Sequence, residues 1–200
     1  MELNIIIAGV GGQGNVRAAQ ILGLAAVKAG FNVNVSDVYG ISQRGGAVVS
    51  HVRIGDVHGP LVEEHKADII LGLEPMEALR AVARFLKMGG VVILNTRPIY
   101  PIEVTTGRAN YPDVNEMIKM MKEVASSVIA LDAMKIVEEE GFPIALNIAM
   151  LGLLAGSGLL PFKPDFIEEA IKEVLTFMTE KNIRAFRAGL KASTFARPSL

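Results

Sequence analysis

Residues 3–8 (LNIIIA) form a nearly unbroken apolar run, as in a strand covered on both faces. Glycines follow at once, and residues 15–29, rich in Ala, Leu and Val, read as a helix that Gly30 can end with a left-handed residue. Residues 31–36 alternate Phe31, Val33 and Val35 with Asn32, Asn34 and Ser36, the period of a strand with one wetter face, which places them near a sheet edge. Residues 47–54 and 57–62 flank Gly55-Asp56, where glycine suits the first central position of a type II′ turn, so the two runs are expected to pair as a hairpin. That hairpin would make the sheet mixed.

Residues 68–73 repeat the buried-strand pattern, and Pro75 can open a helix that runs to about residue 87, before Gly89-Gly90. Residues 91–95 return as a strand. Asp113 and Glu116 have capping-box spacing ahead of an amphipathic helix, residues 127–131 are a short strand, and Asp132 can cap a helix ending at Gly141. Beyond Phe142 the pattern is helical throughout: an apolar helix from Ile144, another opened by Pro164, Asp165 and Glu168, and a basic one over about 181–191. Strand and helix alternate over residues 1–131 and helices alone fill 132–200. The expected fold is therefore α/β: a Rossmann-like, doubly wound, mixed sheet with one hairpin, followed by a helical C-terminal segment. At 200 residues this is expected to be a single domain.

Composition narrows the chemistry. Half the residues are hydrophobic and 20% are charged, a balance that leans towards a subunit interface. The net charge of −1 leaves no basic footprint for nucleic acid or a membrane surface. With no cysteine the chain can form no disulfide and no cysteine-ligated zinc or iron–sulfur site, so any such cluster must sit on another subunit. No secretory signal is legible at the N-terminus, and a cytoplasmic location is expected. The apolar run 144–160 is short for a membrane span and contains Asn147, which favours a buried helix.

Gly9-Val10-Gly11-Gly12-Gln13-Gly14 satisfies G-x-G-x-x-G between a predicted strand and a predicted helix. Glycines there allow a tight turn and a close approach of phosphate, while the first N–H groups of the helix face the anion. The competing reading is that they serve only close strand–helix packing. Gln13, a long polar side chain at the tip of the turn, is read as reaching for a ligand or partner. Asp37, 23 residues beyond Gly14, could meet a dinucleotide ribose, which keeps a free-standing NAD(P)- or nucleotide-binding protein open.

A second loop follows at residues 39–46, where Arg44 offers a guanidinium fork, Gly45 and Gly46 expose backbone amides, and Ser42 and Gln43 add neutral hydrogen bonds. The bland alternative is a surface loop whose arginine pairs with an acid. Glu74 and Glu77 bracket a helix start and suit capping, though Glu74 also ends a strand on the side where open sheets bind ligands. His51, His58 and His65 share no face that would gather a metal, and no catalytic triad is legible. Met117, Met120 and Met121 have helical spacing and suit core or subunit contact.

Gly-x-Gly-Gly-Gln-Gly, then Ser42-Gln43-Arg44-Gly45-Gly46 and a Val-x-x-His-Val-Arg strand at 48–53, resemble the gamma-type domain of 2-oxoacid:ferredoxin oxidoreductases, and in particular its indolepyruvate branch. The likeness extends through residues 73–80, Asn95-Thr96, Leu146-Asn147 and Met150-Leu151-Gly152. Tyr39 and Ile41 depart from it, standing where members of the family carry His and Met. The resemblance implies CoA-dependent oxidative decarboxylation of an aryl pyruvate, with thiamine diphosphate, magnesium and [4Fe–4S] clusters on a partner alpha subunit and ferredoxin as electron acceptor. Gly55-Asp56 continues into Val57 and not into the Gly-Asp-Gly of a thiamine-diphosphate site. The role implied for this chain is to complete the active site without supplying a catalytic residue. Gly9, Gly11, Gly12, Gln13, Gly14, Ser42, Gln43, Arg44, Gly45, Gly46 and Glu74 would form a wall that receives the phosphates of coenzyme A. The gamma subunits of pyruvate and 2-ketoglutarate enzymes share these loops and remain alternatives.

Overall fold

The strands Glu2–Val10 (β1), Val33–Tyr39 (β2), Ala47–Gly55 (β3), Ala67–Gly72 (β4), Leu86–Asn95 (β5) and Ser127–Leu131 (β6) lie side by side in the order β2-β3-β1-β4-β5-β6. The computed structural model describes residues 1–40 and 46–195. Strand β1 pairs in parallel with β4, β4 with β5, and β5 with β6, while β3 runs antiparallel between β1 and β2. The helices are Asn15–Lys28 (α1), Pro75–Phe85 (α2), Ile102–Thr105 (α3), Val114–Val124 (α4), Ala133–Glu139 (α5), Leu146–Gly156 (α6), Pro164–Val174 (α7) and Thr179–Phe195 (α8).

Strand periodicity builds two cores from one sheet. Ile5 and Ile7 of β1 face α1 and the helices α5 to α8, and Ile6 and Ala8 face α2 and α4. The three central isoleucines are fully buried, each worth about 1.5–3 kcal/mol of transfer free energy. Met117 and Met121 join the second core, whereas Met120 is exposed. Helix α6 is apolar all round because it is buried all round, and among the described residues no helix is long and apolar enough to cross a membrane. It lies so close to α8 that a Cβ at Gly152 or Gly189 would enter the backbone of the facing helix, at Phe186 and Ala149 respectively.

The sheet is mixed, but the hairpin is not the expected one. Strand β3 pairs antiparallel with β2, the strand before it in the chain, and residues 57–62 form no strand. Their polar groups are taken by side chains of β3 instead of by a ladder. Arg53 Nη1 donates to the carbonyls of His58 (2.8 Å), Gly59 (3.0 Å) and Leu61 (3.2 Å), and Val62 N–H donates to His51 Nδ1 (3.1 Å). Pro60 within the run could not have supplied a ladder donor. Helix α2 stops at Phe85, and β5 begins at Leu86, before the glycines expected to separate them. The edge position of β2 agrees with its alternating pattern.

His51 is buried beside Phe85, and burial together with Arg84 and Arg53 holds its pKa below the usual imidazole value, against a smaller opposing pull from Asp37. The unfolded chain therefore binds a proton near pH 6.5 that the native chain accepts only at lower pH, so acidification through that window favours unfolding. Urea denaturation at pH 7.5 and 5.5 is expected to show this loss. His51→Leu should flatten it while lowering stability at pH 7.5 by about 1–3 kcal/mol, since Val62 N–H is left without an acceptor. Gly189→Ala is expected to cost at least about 1–3 kcal/mol in the same assay by forcing α6 and α8 apart; an unchanged midpoint would contradict the close approach.

Candidate functional site

The carboxyl ends of β1 and β4 face a crevice from which α1 leaves on one side of the sheet and α2 on the other, the position where open α/β sheets bind ligands. The turn from β1 into α1 needs two left-handed residues, Gly12 (φ 100°) and Gly14 (φ 84°), conformations strained for any residue with a Cβ. Gly14 stands at the start of α1, which has no side-chain cap and no acid in its first turn. Its leading N–H groups are left for solvent or a ligand.

The turn is held by amide side chains. Gln13 Oε1 accepts from Val10 N–H (2.9 Å) and its Nε2 donates to the Leu73 carbonyl (2.9 Å), so Gln13 ties β1 to β4 and does not reach outwards as the sequence reading expected. Buried Asn95 donates to the same Leu73 carbonyl (2.9 Å) and accepts from Ala133 N–H (3.1 Å), joining the ends of β4 and β5 to α5. Asn147 of α6 donates to the Gly14 carbonyl (3.1 Å), and Asn15 donates to the Val48 carbonyl (3.0 Å). The Oδ1 of Asn15, buried to 3% exposure, has no hydrogen-bond partner.

The two glycine loops meet. Gly11 N–H donates to the Gly46 carbonyl (2.9 Å), and this contact lies in the wall shared by two clefts. The smaller, of about 640 Å³, is lined by Gly12, Gly14, Asn15, Val16 and Tyr39. The larger, of about 900 Å³, extends from Gly12 and Gln13 past Glu74 to Tyr100, Ile102 and Ile144. Ser42, Gln43, Arg44 and Gly45 lie outside the described residues.

Glu74 is 1% exposed and serves two purposes: Oε2 caps α2 through Glu77 N–H (3.0 Å), while Oε1 accepts from Ile99 N–H (3.4 Å) and from the Tyr111 hydroxyl. The same carboxylate thus anchors the long excursion between β5 and α4 over the larger cleft. Burial and the Glu74 carboxylate push the Tyr111 phenol's pKa up, which keeps it a donor. Burial raises the pKa of Glu77 against the pull of Arg80, whose Nη1 lies 2.6 Å from it. Tyr111, Asn15 and the exposed rim at Tyr100 and Ile102 were not foreseen, for no linear pattern couples residue 111 to residue 74.

Asp37 is not placed for a dinucleotide. Because β3 is inserted between β1 and β2, it stands two strand spacings, roughly 10 Å, from β1 and accepts a hydrogen bond from the Ser50 hydroxyl. His51 and Arg53 hold residues 57–62 and do not line either cleft. Among the described residues no group of three or more His, Asp or Glu converges to hold a metal ion. With no cysteine in the chain, the donor set does not fit an iron–sulfur cluster.

The mixed sheet with its helical C-terminal segment is the fold of 2-oxoacid:ferredoxin oxidoreductase gamma subunits. The chain belongs to the pyruvate ferredoxin/flavodoxin oxidoreductase family, whose model matches residues 4–192. It is 43% identical over 200 residues to indolepyruvate oxidoreductase subunit IorB of Archaeoglobus fulgidus, covering 100% of this chain and 99% of that one. It is 32% identical over 189 residues to the pyruvate/ketoisovalerate oxidoreductases common subunit gamma of Thermococcus kodakarensis, covering 92% of each. Among solved structures it is similar to the keto/oxoacid ferredoxin oxidoreductase gamma subunit of Geobacter sulfurreducens, with a TM-score of 0.70 and 25% identity over 97% of this chain and 99% of that one. The relatives are subunits of multi-subunit oxidoreductases, and this chain is an enzyme subunit of that kind.

Gln13→Leu and Asn95→Leu are each expected to cost about 1–3 kcal/mol in urea denaturation. Since either amide alone still satisfies the Leu73 carbonyl, the double variant should cost more than the sum by at least about 0.5 kcal/mol. Strict additivity would show that the shared acceptor does not couple them.

Proposed function

We propose that the chain, acting over residues 1–200 as one gamma-type domain, is the small subunit of an indolepyruvate:ferredoxin oxidoreductase and completes its active site for CoA-dependent oxidative decarboxylation of aryl pyruvates. The observation that carries this is the full-length identity to an indolepyruvate oxidoreductase subunit, combined with two glycine loops hydrogen-bonded to each other at the sheet's switch point. Thiamine diphosphate with magnesium and the [4Fe–4S] clusters belong to a partner alpha subunit, which passes electrons to ferredoxin. This chain supplies a wall: Gly11, Gly12 and Gly14 with the uncapped start of α1, together with Ser42, Gln43, Arg44, Gly45 and Gly46, receive the phosphates of coenzyme A, whereas Gly9 is buried against the amides of Gln13 and Asn15 and makes room for them. Gln13 and Glu74 position that wall from within.

The same chemistry on a smaller oxoacid is the second reading, favoured by the 32% identity to a pyruvate/ketoisovalerate gamma subunit. Co-expression with candidate alpha subunits, followed by viologen reduction across indolepyruvate, phenylpyruvate, pyruvate and 2-oxoglutarate, separates the two. The proposal expects no activity from the chain alone and the highest kcat/KM with the aryl pyruvates. Arg44→Ala is expected to raise the KM for coenzyme A about tenfold or more, the loss of one charge-assisted contact. Unchanged coenzyme A kinetics for Arg44→Ala and Gly11→Val would remove the phosphate-binding role.

A further inference from the structure

The sheet has two edges, and they are finished differently. Strand β6 is five residues long, and a short edge offers little to a second chain. Strand β2 runs for seven residues, VNVSDVY, in unbroken register with β3, without the lysine, proline or bulge that commonly blunts an edge. Gly40 N–H donates to the Ala47 carbonyl (2.9 Å) and Gly55 N–H to the Asn32 carbonyl (2.8 Å), which fixes the phase of the ladder. Asn34, Ser36 and Val38 therefore turn their backbone groups towards β3, and Val33, Val35, Asp37 and Tyr39 turn theirs away. Among the described residues no strand pairs with that outer edge. Its side chains are largely apolar and open: Val35, Val38 and Tyr39 are 37%, 45% and 62% exposed. Gly23 lets α1 approach Val35, and Val27, one turn further along the same face of α1, is 56% exposed and carries the apolar surface into the helix layer.

A row of unpaired backbone N–H and C=O groups is matched by another extended strand. The strand that fits is β2 itself. We propose that two copies of this chain join β2 edge to edge, antiparallel about a two-fold axis at Ser36, so that their six-stranded sheets become one. In that register the whole of β2 is paired: Val33 lies opposite Tyr39 of the second copy and Val35 opposite Asp37, each pair exchanging both backbone hydrogen bonds. A β-branched side chain facing an aromatic one is a favourable cross-strand pair, and the residue that meets its own copy on the axis is a small serine. Asp37 is the one charge on the strand, and its carboxylate accepts from the Ser50 hydroxyl of its own chain. It selects the register. A slip that centres Asp37 sets like charges directly opposite, and a slip the other way carries Tyr39 past the end of the facing strand. Pairing about a two-fold axis also closes, whereas β2 joined to β6 of another copy leaves a free edge after every addition. The inference does not depend on the coenzyme A reading.

The test uses the full chain, alone and in the complex obtained by co-expression with its partner subunit. Ser36→Cys, in a chain with no other cysteine, places one thiol per copy on the axis. A non-hydrogen-bonded antiparallel pair holds its Cα atoms about 4.5 Å apart, within the range of a disulfide. Mild oxidation is expected to join two copies at least tenfold faster than in Asn32→Cys, which lies beyond the strand and far from its counterpart in this register. In the Ser36→Cys background, Val35→Glu sets a carboxylate opposite Asp37 of the second copy and is expected to slow the cross-link about tenfold. Val35→Lys loses the same apolar side chain but sets an opposite charge there, and should stay within threefold. Val35→Pro removes an N–H that faces away from β3 and should slow the cross-link about tenfold with the ladder to β3 intact; if that variant does not fold, the Glu and Lys pair decides. Equal rates for Ser36→Cys and Asn32→Cys, or equal slowing by Val35→Glu and Val35→Lys, would overturn the proposal. So would a thiol in Ser36→Cys that is shielded from a small alkylating reagent in the complex yet never cross-links, since the partner subunit would then cover the edge.

Discussion

The glycine turn has no side chains with which to hold its own shape, and the carbonyl of Leu73 supplies what it lacks. Gln13 and Asn95 both donate to that one oxygen, from β1's turn and from the end of β5, so three adjacent strand ends are fixed relative to one another at the crevice. Asn147 and Asn15 fasten the same turn to α6 and to β3. Backbone N–H groups can serve as a preorganised anion site only when the backbone is immobile, and neutral amides achieve this without adding charge that a phosphate would meet. The fold delivers these residues in register: β1 and β4 pair in parallel up to Ala8 and Gly72, which leaves Val10 and Leu73 within reach of the one Gln13 amide, and α6 returns across the turn to bring Asn147 to the Gly14 carbonyl.

The antiparallel β3 is the second constraint. Had β2 lain next to β1, Asp37 would have reached a ribose bound at the glycine turn, and the site would suit a dinucleotide. Inserting β3 moves Asp37 away and brings Gly46 against Gly11, so that a second loop replaces the acid. A turn that reads as a nucleotide fingerprint in one dimension thereby becomes half of a different wall. The other wall is set by Glu74, a capping carboxylate that also holds the excursion carrying Tyr100 and Ile102.

Much of this was legible beforehand. Uninterrupted apolar runs identified β1 and β4, alternation placed β2 at the edge, and Asp113 and Asp132 cap the helices they were expected to cap. Three things were not legible, each for a non-local reason. Residues 57–62 have strand composition, but Arg53 and His51 take their polar groups. Gln13 has the position of a ligand contact, but its amide is satisfied within the fold. Tyr111 lies in a stretch without periodicity, and only the crossing of the chain over α2 brings it to Glu74.

The proposed role makes this turn a rigid, preformed part of a coenzyme A site shared with a partner subunit. Amide hydrogen exchange of the assembled complex, with and without coenzyme A, tests it most directly. The account predicts slow exchange at Gly11 before the ligand is added, further protection at the start of α1 once it is present, and no change at the Val62 amide held by His51. Rapid exchange at Gly11 in the free complex, or protection by coenzyme A confined to the partner subunit, would contradict it.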